Sequence, residues 1–258
     1  MAIPEDTEWY LLSLRPAGAH AGLRAAVKRV GGRLLALSPW RIERTRDPTT
    51  QRALQAALAA ASTLFTSPAA VRATQALDPG FAARMGCVIA VGEGTARVLR
   101  RQGVPDVVVP QRMDSEGVLA LPQLAAVDQV IGLITAPGGR GAIPAALHAR
   151  GARIRRADVY RRIPLALSAQ SRARLATVVD HSVLAVSSAE ALQQLLPQLS
   201  ATVLDSLRQR PVVAASDRLV AFVRANGFVR VDRAEGPLPT QLAAAAAATA
   251  AMTRRIPH

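Results

Sequence analysis

The sequence predicts an α/β protein with two similar lobes, each a three-layer arrangement of a parallel sheet between helices, joined by a two-stranded β-ladder. Short apolar segments of strand character alternate with longer helical segments along the 258 residues, as in parallel sheets covered on both faces. A strand–loop–helix unit also recurs, since Ser67 and Ser188 are 188 − 67 = 121 positions apart and Gly103 and Gly227 are 227 − 103 = 124 apart. This spacing indicates a duplication.

The predicted elements follow one another in a regular order. Strands are predicted at 9–14, 33–37, 40–43, 63–67, 87–91, 107–109, 129–135, 153–164, 183–187, 212–215 and 229–231. Helices are predicted at 17–30, 47–61, 96–102, 142–150, 168–176, 189–196, 219–226 and 239–252, with two more beginning at 68 and 114. Pro68 suits a first helical turn, and Gly103, Gly151 and Gly227 mark helix ends.

Two strand-like stretches are rich in arginine. Residues 40–43 follow a proline, and residues 153–164 end in one; both alternate apolar with charged residues. Paired as a ribbon, they form the predicted connection between the lobes. Tyr160, one of two tyrosines, lies in the second stretch between four arginines.

The composition excludes several classes of protein. The net charge is +14, and Lys28 is the only lysine, so the charge comes from arginine. Most of it is solvated surface charge, but a field of this size also attracts a polyanionic ligand. Aromatic residues make up 3% and no basic tail is present, so nucleic-acid binding is not expected. The lone Cys87 and four scattered histidines predict neither disulfide nor metal site. Without a signal pattern or a membrane-length apolar run, we expect a cytoplasmic protein that does not bind membranes.

Polar residues recur where predicted strands end and helices begin, the edge at which open α/β sheets bind ligands. Each hydroxyl alone is typical of a helix cap, and each arginine of a solvated charge. As a set around one cleft they indicate a surface that binds anions, carboxylates in particular. These candidates are Thr66, Ser67, Thr95, Ser187, Ser188 and Ser216, with Arg15, Arg140 and Arg218. Asp217 is placed to cap its helix and to orient Arg218.

Tyr160 has two interpretations. It is either a plain strand aromatic or a general acid, the only one that the periodicity places between the lobes. Nucleophilic catalysis is not indicated, because Ser67 and Ser188 lack a histidine at a usual distance and no GxSxG motif occurs.

An ordered set of motifs covers almost the whole chain. The motifs are LSLRP at 12–16, LFTSPAAV at 64–71, AVGEGTARVLRRQG at 90–103, SEGVLALPQL at 115–124, GGR at 138–140, GARIRRADVYRRIP at 151–164, VSSAEAL at 186–192 and ASDRLVAFVRANGF at 215–228. In this order they resemble the uroporphyrinogen-III synthase family. The resemblance implies a discontinuous first lobe of residues 1–38 and 165–258, a second lobe of residues 42–152, and linker strands at 39–41 and 153–164.

The resemblance also implies a reaction without cofactor or metal. Linear hydroxymethylbilane loses water, closes through a spiro intermediate and is released as uroporphyrinogen III with its last ring inverted. The eight carboxylates of this substrate agree with the arginine excess. Tyr160 corresponds to the family's favoured acid, and Ser67, Thr95, Ser187 and the loop at Ser216 to residues that line its cleft. We expect a monomer that transiently contacts the preceding pathway enzyme.

One motif departs from the family. Many members carry Gly-Pro-Thr-Thr where this chain has Ser216-Asp217-Arg218-Leu219, so the threonine role is not transferable. Ser216 or Arg218 substitutes for it, or the loop only caps its helix. This loop motivates an alternative: a non-catalytic two-lobe sensor of an anionic, tetrapyrrole-like ligand.

Overall fold

In the part of the chain that the structure describes, the β-structure consists of two parallel five-stranded sheets and a two-stranded ladder. The computed structural model describes residues 9–112, 114–125, 128–138 and 141–254. The chain divides into two compact units. The first unit comprises the residues up to Arg41 together with those from Ile163 onward, and the second unit is the continuous segment Ile42–Arg162.

The strands and helices alternate along the chain. The strands are β1 Tyr10–Ser13, β2 Arg33–Ala36, β3 Trp40–Arg44, β4 Ser62–Phe65, β5 Cys87–Ala90, β6 Val107–Val108, β7 Val130–Thr135, β8 Arg153–Asp158, β9 Tyr160–Pro164, β10 Ser182–Val186, β11 Val212–Ala214 and β12 Val231–Arg233. The helices are α1 Ala21–Arg29, α2 Pro48–Leu58, α3 Pro68–Leu77, α4 Glu93–Arg101, α5 Ser115–Leu119, α6 Ala142–Ala149, α7 Ala169–Val178, α8 Ala189–Leu195, α9 Ala201–Gln209, α10 Asp217–Ala225 and α11 Pro239–Arg254.

Polar residues fix the start of most helices. A side-chain oxygen of the residue before the helix accepts the backbone N–H of the residue three positions on, which satisfies an amide that the helix leaves unpaired. These caps are Asp47, Ser67, Asp114, Ser168, Ser188, Ser200 and Ser216. The helices α4 and α6 instead follow Gly92 and Gly141 and have no side-chain cap.

The sheet of the first unit has the order β12-β11-β10-β1-β2, and every pair is parallel. Its centre, β10, is buried along its full length, which requires cover on both faces. Helices α1 and α11 pack on each other and on the sheet, as do α8 and α10. β1 comes from the N-terminal part of the chain, yet it pairs with β10 on one side and β2 on the other.

The sheet of the second unit has the order β6-β5-β4-β7-β8 and is also parallel. Successive residues of a strand point to opposite faces, so its strands supply two cores. One core, with α2, α3 and α4, contains Leu54, Phe65, Val71, Ala90, Leu99 and Ile134. The other, with α5 and α6, contains Leu64, Ile89, Val118, Leu133 and Leu147. The predicted three-layer α/β fold is therefore confirmed.

The ladder pairs β3 with β9. Thr45 N donates to Val159 O (3.1 Å) and Leu165 N to Pro39 O (2.9 Å), a register that runs antiparallel. The assignment of all of 153–164 to the linker was wrong, because β8 is the edge strand of the second sheet and pairs with β7. The chain changes its pairing partner at Val159. The N–H of Val159 donates to Thr135 O of the second sheet, and its carbonyl accepts from Thr45 N on the ladder side. One apolar–polar alternation runs through both strands and does not reveal this change of partner.

Three further details differ from the predictions. Helix α9 was not predicted, and the last strand lies at Val231–Arg233 rather than 229–231. Helix α4 begins at Glu93, so the predicted loop at 92–95 is mostly helical. In the described part of the chain, no helix is long and apolar enough to cross a membrane.

Candidate active site

A cavity of about 300 Å³ opens at the carboxyl end of the second unit's sheet. In parallel α/β sheets this edge collects the loops that follow each strand. The wall is formed by residues that follow β4, β5 and β7, by residues of β7, β8 and β9, and by the starts of α5 and α6. The polar members are Thr66, Ser67, Asp114, Ser115, Thr135, Arg156, Tyr160 and Arg162.

Tyr160 and Ser67 meet in this cavity. Their hydroxyl oxygens are 3.0 Å apart, and either atom can be the donor. The Tyr160 ring belongs to the core on the α2–α4 side, and the residue is only 3% exposed. Core packing therefore fixes the ring, and the phenol oxygen at its end reaches the wall of the cavity.

Ser67 connects Tyr160 to a helix terminus. Its hydroxyl oxygen accepts the Ala70 N–H (3.1 Å) as the cap of α3, with Pro68 in the first turn. The start of a helix carries a partial positive charge. When Tyr160 gives up its proton, the Ser67 O–H can donate to the phenolate and stabilise it. The pair is therefore suited to proton donation by the phenol.

A second pair of hydroxyls links β4 to β7. Thr66 Oγ1 lies 2.9 Å from Thr135 Oγ1 and 3.3 Å from the carbonyl oxygen of Ile134. Both threonines line the cavity. They supply neutral donors and acceptors beside Tyr160.

The cavity wall carries charges of both signs. Arg156 Nε donates to both carboxylate oxygens of Asp158 (3.0 and 3.1 Å), and its Nη2 donates to the carbonyl of Ala136 (3.1 Å). Asp114 accepts from Gly117 N and from Arg112 Nε, each at 2.8 Å. Burial raises the pKa of Asp114, but these two donors outweigh it and hold the pKa below its usual value. Asp114 is therefore ionised, and it shares the positive charge of Arg112 with Glu116.

The chain is similar to known proteins over most of its length. A sequence model described as uroporphyrinogen-III synthase HemD matches residues 21–243. The chain belongs to the uroporphyrinogen-III synthase family.

Two solved structures of uroporphyrinogen-III synthases share this fold. A mutant synthase from the extremely thermophilic bacterium Thermus thermophilus matches with a TM-score of 0.64 and 18% identity, over 95% of this chain and 99% of that one. The synthase from Helicobacter pylori 26695 matches with a TM-score of 0.58 and 15% identity, over 96% of this chain and 100% of that one. Membership of this family implies a small-molecule tetrapyrrole substrate.

Within the second unit, only some of the candidate residues predicted from the sequence lie together in the cavity wall. Thr66, Ser67 and Tyr160 line the cavity. Thr95 is the third residue of α4, 3% exposed, and is not among the described residues of the wall. The sequence Gly-Glu-Gly resembles a turn, which is why Thr95 was expected in a loop. Arg140 lies outside the described residues.

The other candidates of the synthase lie at the carboxyl end of the first unit's own sheet. Ser187 is exposed after β10, and Ser188 and Ser216 cap α8 and α10. Arg15 follows β1, and its Nη2 donates to the carbonyl of Pro237 (3.0 Å). Burial lowers the pKa of Arg15 from its usual value.

The prediction that Asp217 orients Arg218 was wrong. Asp217 Oδ1 lies 3.0 Å from Arg233 Nε, while Arg218 is exposed. Arg233 comes from β12, the parallel neighbour of the strand that precedes this loop. A contact between the start of a helix and a strand that follows it in the chain leaves no trace in local sequence, which explains the error.

Sequence reasoning also missed several polar residues. The sequence analysis does not predict a role for Thr135, Arg156, Asp158 or Arg162, although it places arginines on both sides of Tyr160.

In the first unit, His20 was interpreted as one of four scattered histidines. Its Nδ1 lies 3.0 Å from Ser13 Oγ and its Nε2 lies 2.8 Å from Ser38 Oγ. Burial, and then the charges of Arg24 and Arg15, lower the pKa of His20 to about 4. In the described ranges, no group of His, Cys, Asp or Glu could hold a metal ion.

Proposed function

We propose that Tyr160 is the acid in the reaction of this enzyme, and that the cavity of the second unit holds the reacting end of the substrate. The family's reaction closes linear hydroxymethylbilane to uroporphyrinogen III, with loss of water and inversion of the last pyrrole ring through a spiro intermediate. The observation that carries the proposal is the Tyr160–Ser67 hydroxyl contact of 3.0 Å at the cavity wall.

The first step needs a proton at the leaving oxygen. The bond between the hydroxymethyl carbon and its oxygen breaks, the phenol proton of Tyr160 goes to that oxygen, and water leaves. The electron pair of the breaking bond stays on the departing oxygen, while the pyrrole delocalises the positive charge. Ser67 then donates to the Tyr160 oxygen until a proton returns to it. The protein must also hold the bilane in a folded conformation, so that closure through the spiro intermediate occurs before direct closure of the ring.

The rest of the polyanionic substrate needs further donors. We assign its carboxylates to hydroxyl and guanidinium groups at the carboxyl ends of the two sheets, where backbone amides at helix starts add donors. The proposed residues at these ends are Thr66 and Thr95 in the second unit, and Arg15, Ser187, Ser188, Ser216 and Arg218 in the first. Arg140, outside the described residues, is proposed from its GGR motif alone. The absence of a cofactor, a monomeric state, a cytoplasmic location and a transient contact with the preceding pathway enzyme stay predictions.

The test is an isomer assay. The purified protein receives bilane generated in the same vessel by the preceding enzyme, and oxidised products are separated as type I and type III isomers. We expect mainly type III product. Type I alone at the spontaneous rate, or tight porphyrinogen binding without turnover, would reject the proposed activity.

Tyr160→Phe tests the assignment of the acid. The variant keeps the ring in the core and removes only the phenol oxygen. Because a positioned acid typically contributes at least about 100-fold to rate, we expect kcat to fall about 100-fold and product affinity to change less than about twofold. Tyr10→Phe, in β1 of the first unit, is the control. An unchanged kcat in Tyr160→Phe removes this residue from the mechanism.

A further inference from the structure

Arg156 is held in place by three interactions. The Nε atom faces both oxygens of Asp158, Nη2 lies 3.0 Å from Asp158 Oδ1, and Nη2 also donates to the carbonyl of Ala136 at 3.1 Å. Ala136 follows β7, the neighbour of the strand that carries Arg156. The side chain therefore keeps one orientation without a ligand, although it is 40% exposed.

These contacts leave one end of the guanidinium unused. Asp158 occupies the edge formed by Nε and Nη2, and Ala136 takes a further hydrogen on Nη2. Nη1, with two N–H groups, has no partner among the described residues. Arg156 lines the same cavity as Tyr160. An arginine in a cavity wall that retains unpaired donors is suited to bind an anionic oxygen.

A purely structural ion pair accounts poorly for this arrangement. Exposed pairs contribute little to stability, typically about 0–1 kcal/mol, and need no third contact. Asp114, the one carboxylate among the described residues of the wall, accepts from Arg112 and Gly117, so these donors offset part of its repulsion of an anionic ligand.

We propose that Arg156 binds a carboxylate of the substrate through Nη1, and that Asp158 is a positioning residue that orients the guanidinium. This inference rests on the proposed function, since it specifies which group of the substrate the cavity accepts. Arg156 binds substrate and transition state alike, so it acts on KM rather than on kcat.

The matched control is the neighbouring Arg155. It lies on the same strand and carries the same charge, but its Nη1 donates to the carbonyl of Ala56 (3.3 Å) and it does not line the cavity. Arg155→Gln and Arg156→Gln lower the net charge equally. A difference between them therefore reports the local contact and not the overall field.

The experiment measures bilane kinetics and the affinity of each purified variant for uroporphyrin III by fluorescence titration. For Arg156→Gln we expect KM and the dissociation constant to rise about tenfold at unchanged kcat, the usual effect of losing a hydrogen bond to a charged group. Arg155→Gln stays at wild-type values. Asp158→Asn raises KM by about threefold, and Asp158→Glu restores part of that loss.

Several outcomes would overturn the inference. Equal KM values for Arg156→Gln and Arg155→Gln would do so, and so would a fall in kcat at constant KM. Should Arg156→Gln fail to fold, Arg156→Lys keeps the charge without the guanidinium, and a wild-type KM in that variant contradicts the proposal. Each of these results leaves type III formation by the wild type intact, whereas type I product alone rejects the proposed function itself.

Discussion

At the residue scale, Ser67 has two roles that mutation can separate. Its hydroxyl caps α3 through Ala70 N and contacts the Tyr160 phenol. Ser67→Ala should lower the free energy of unfolding by about 1 kcal/mol through the lost cap. It should also lower kcat about tenfold, because the phenolate loses a hydrogen-bond donor. Urea denaturation and the isomer assay measure the two effects.

Ser168 is the control for the cap alone. It caps α7 in the first unit, accepting Ser171 N at 3.0 Å, and is exposed. Ser168→Ala should cost similar stability and leave kcat unchanged. Equal kcat values for the Ser67 and Ser168 variants would show that the contact with Tyr160 has no part in catalysis.

His20 makes the stability of the first unit depend on pH. The pKa of His20 falls from 6.5 to about 4 in the folded protein, so between these pH values the unfolded chain binds a proton that the folded chain does not bind. The contribution of neutral His20 to the free energy of unfolding is therefore complete above pH 6.5 and is lost as the pH falls toward 4. Between pH 7 and 5 the wild type should lose roughly 1–2 kcal/mol more stability than His20→Gln, whose amide does not titrate. Urea denaturation at both values measures this, and parallel losses would contradict it.

The sequence predicts which residues are candidates for the site better than it predicts which of them contact one another. Tyr160 and Ser67 were both named, but they are 93 positions apart, and only the sheet order β4-β7-β8 brings them together. Arg156 and Asp158 were missed because the same alternation describes β8 and β9. A local pattern reports which face a residue occupies and not which strand lies beside it.

At the element scale, Gly132 allows β7 to lie against α2. A Cβ atom there would come within 2.0 Å of the carbonyl oxygen of Ala57. Gly132→Ala should therefore destabilise the protein by about 1–3 kcal/mol, the usual cost of overpacking a core. In contrast, a Cβ at Gly94 in α4 meets no atom within 4 Å.

Gly94→Ala is accordingly the control for Gly132→Ala. Alanine suits a helix better than glycine, so this change should stabilise by about 0.5–1 kcal/mol. Both values come from urea denaturation. Equal stability of the Gly132 variant and the wild type would show that α2 shifts away from β7 at no cost.

Strands and helices differ in how far the sequence predicts them. The apolar runs of β4, β5, β7 and β10 are unambiguous because both faces of these strands are buried. Helix α9 was missed although Ser200 caps it, Leu207 is buried and its apolar residues recur with helical spacing. The sequence therefore contains the signal for this helix.

At the scale of the whole molecule, the two units differ in how the chain builds them. The second unit is the continuous segment Ile42–Arg162 and contains two cores, one on each face of its sheet. The first unit needs both ends of the chain, because β1 pairs with β10 and β2, and α1 packs on α11. During synthesis the β1–β2 pair lacks its partner strand β10 until it has been made, and the sheet is complete only with β12.

This asymmetry predicts different behaviour of the separate segments. Residues 42–162 expressed alone should fold, since all five strands of their sheet are present. Residues 163–258 alone should not, because β10 would expose an unpaired edge and α11 would lose α1. Adding the segment 1–41 should restore a cooperative thermal transition, measured by circular dichroism at 222 nm. Cooperative melting of 163–258 by itself would show that β10, β11 and β12 form a stable core without β1.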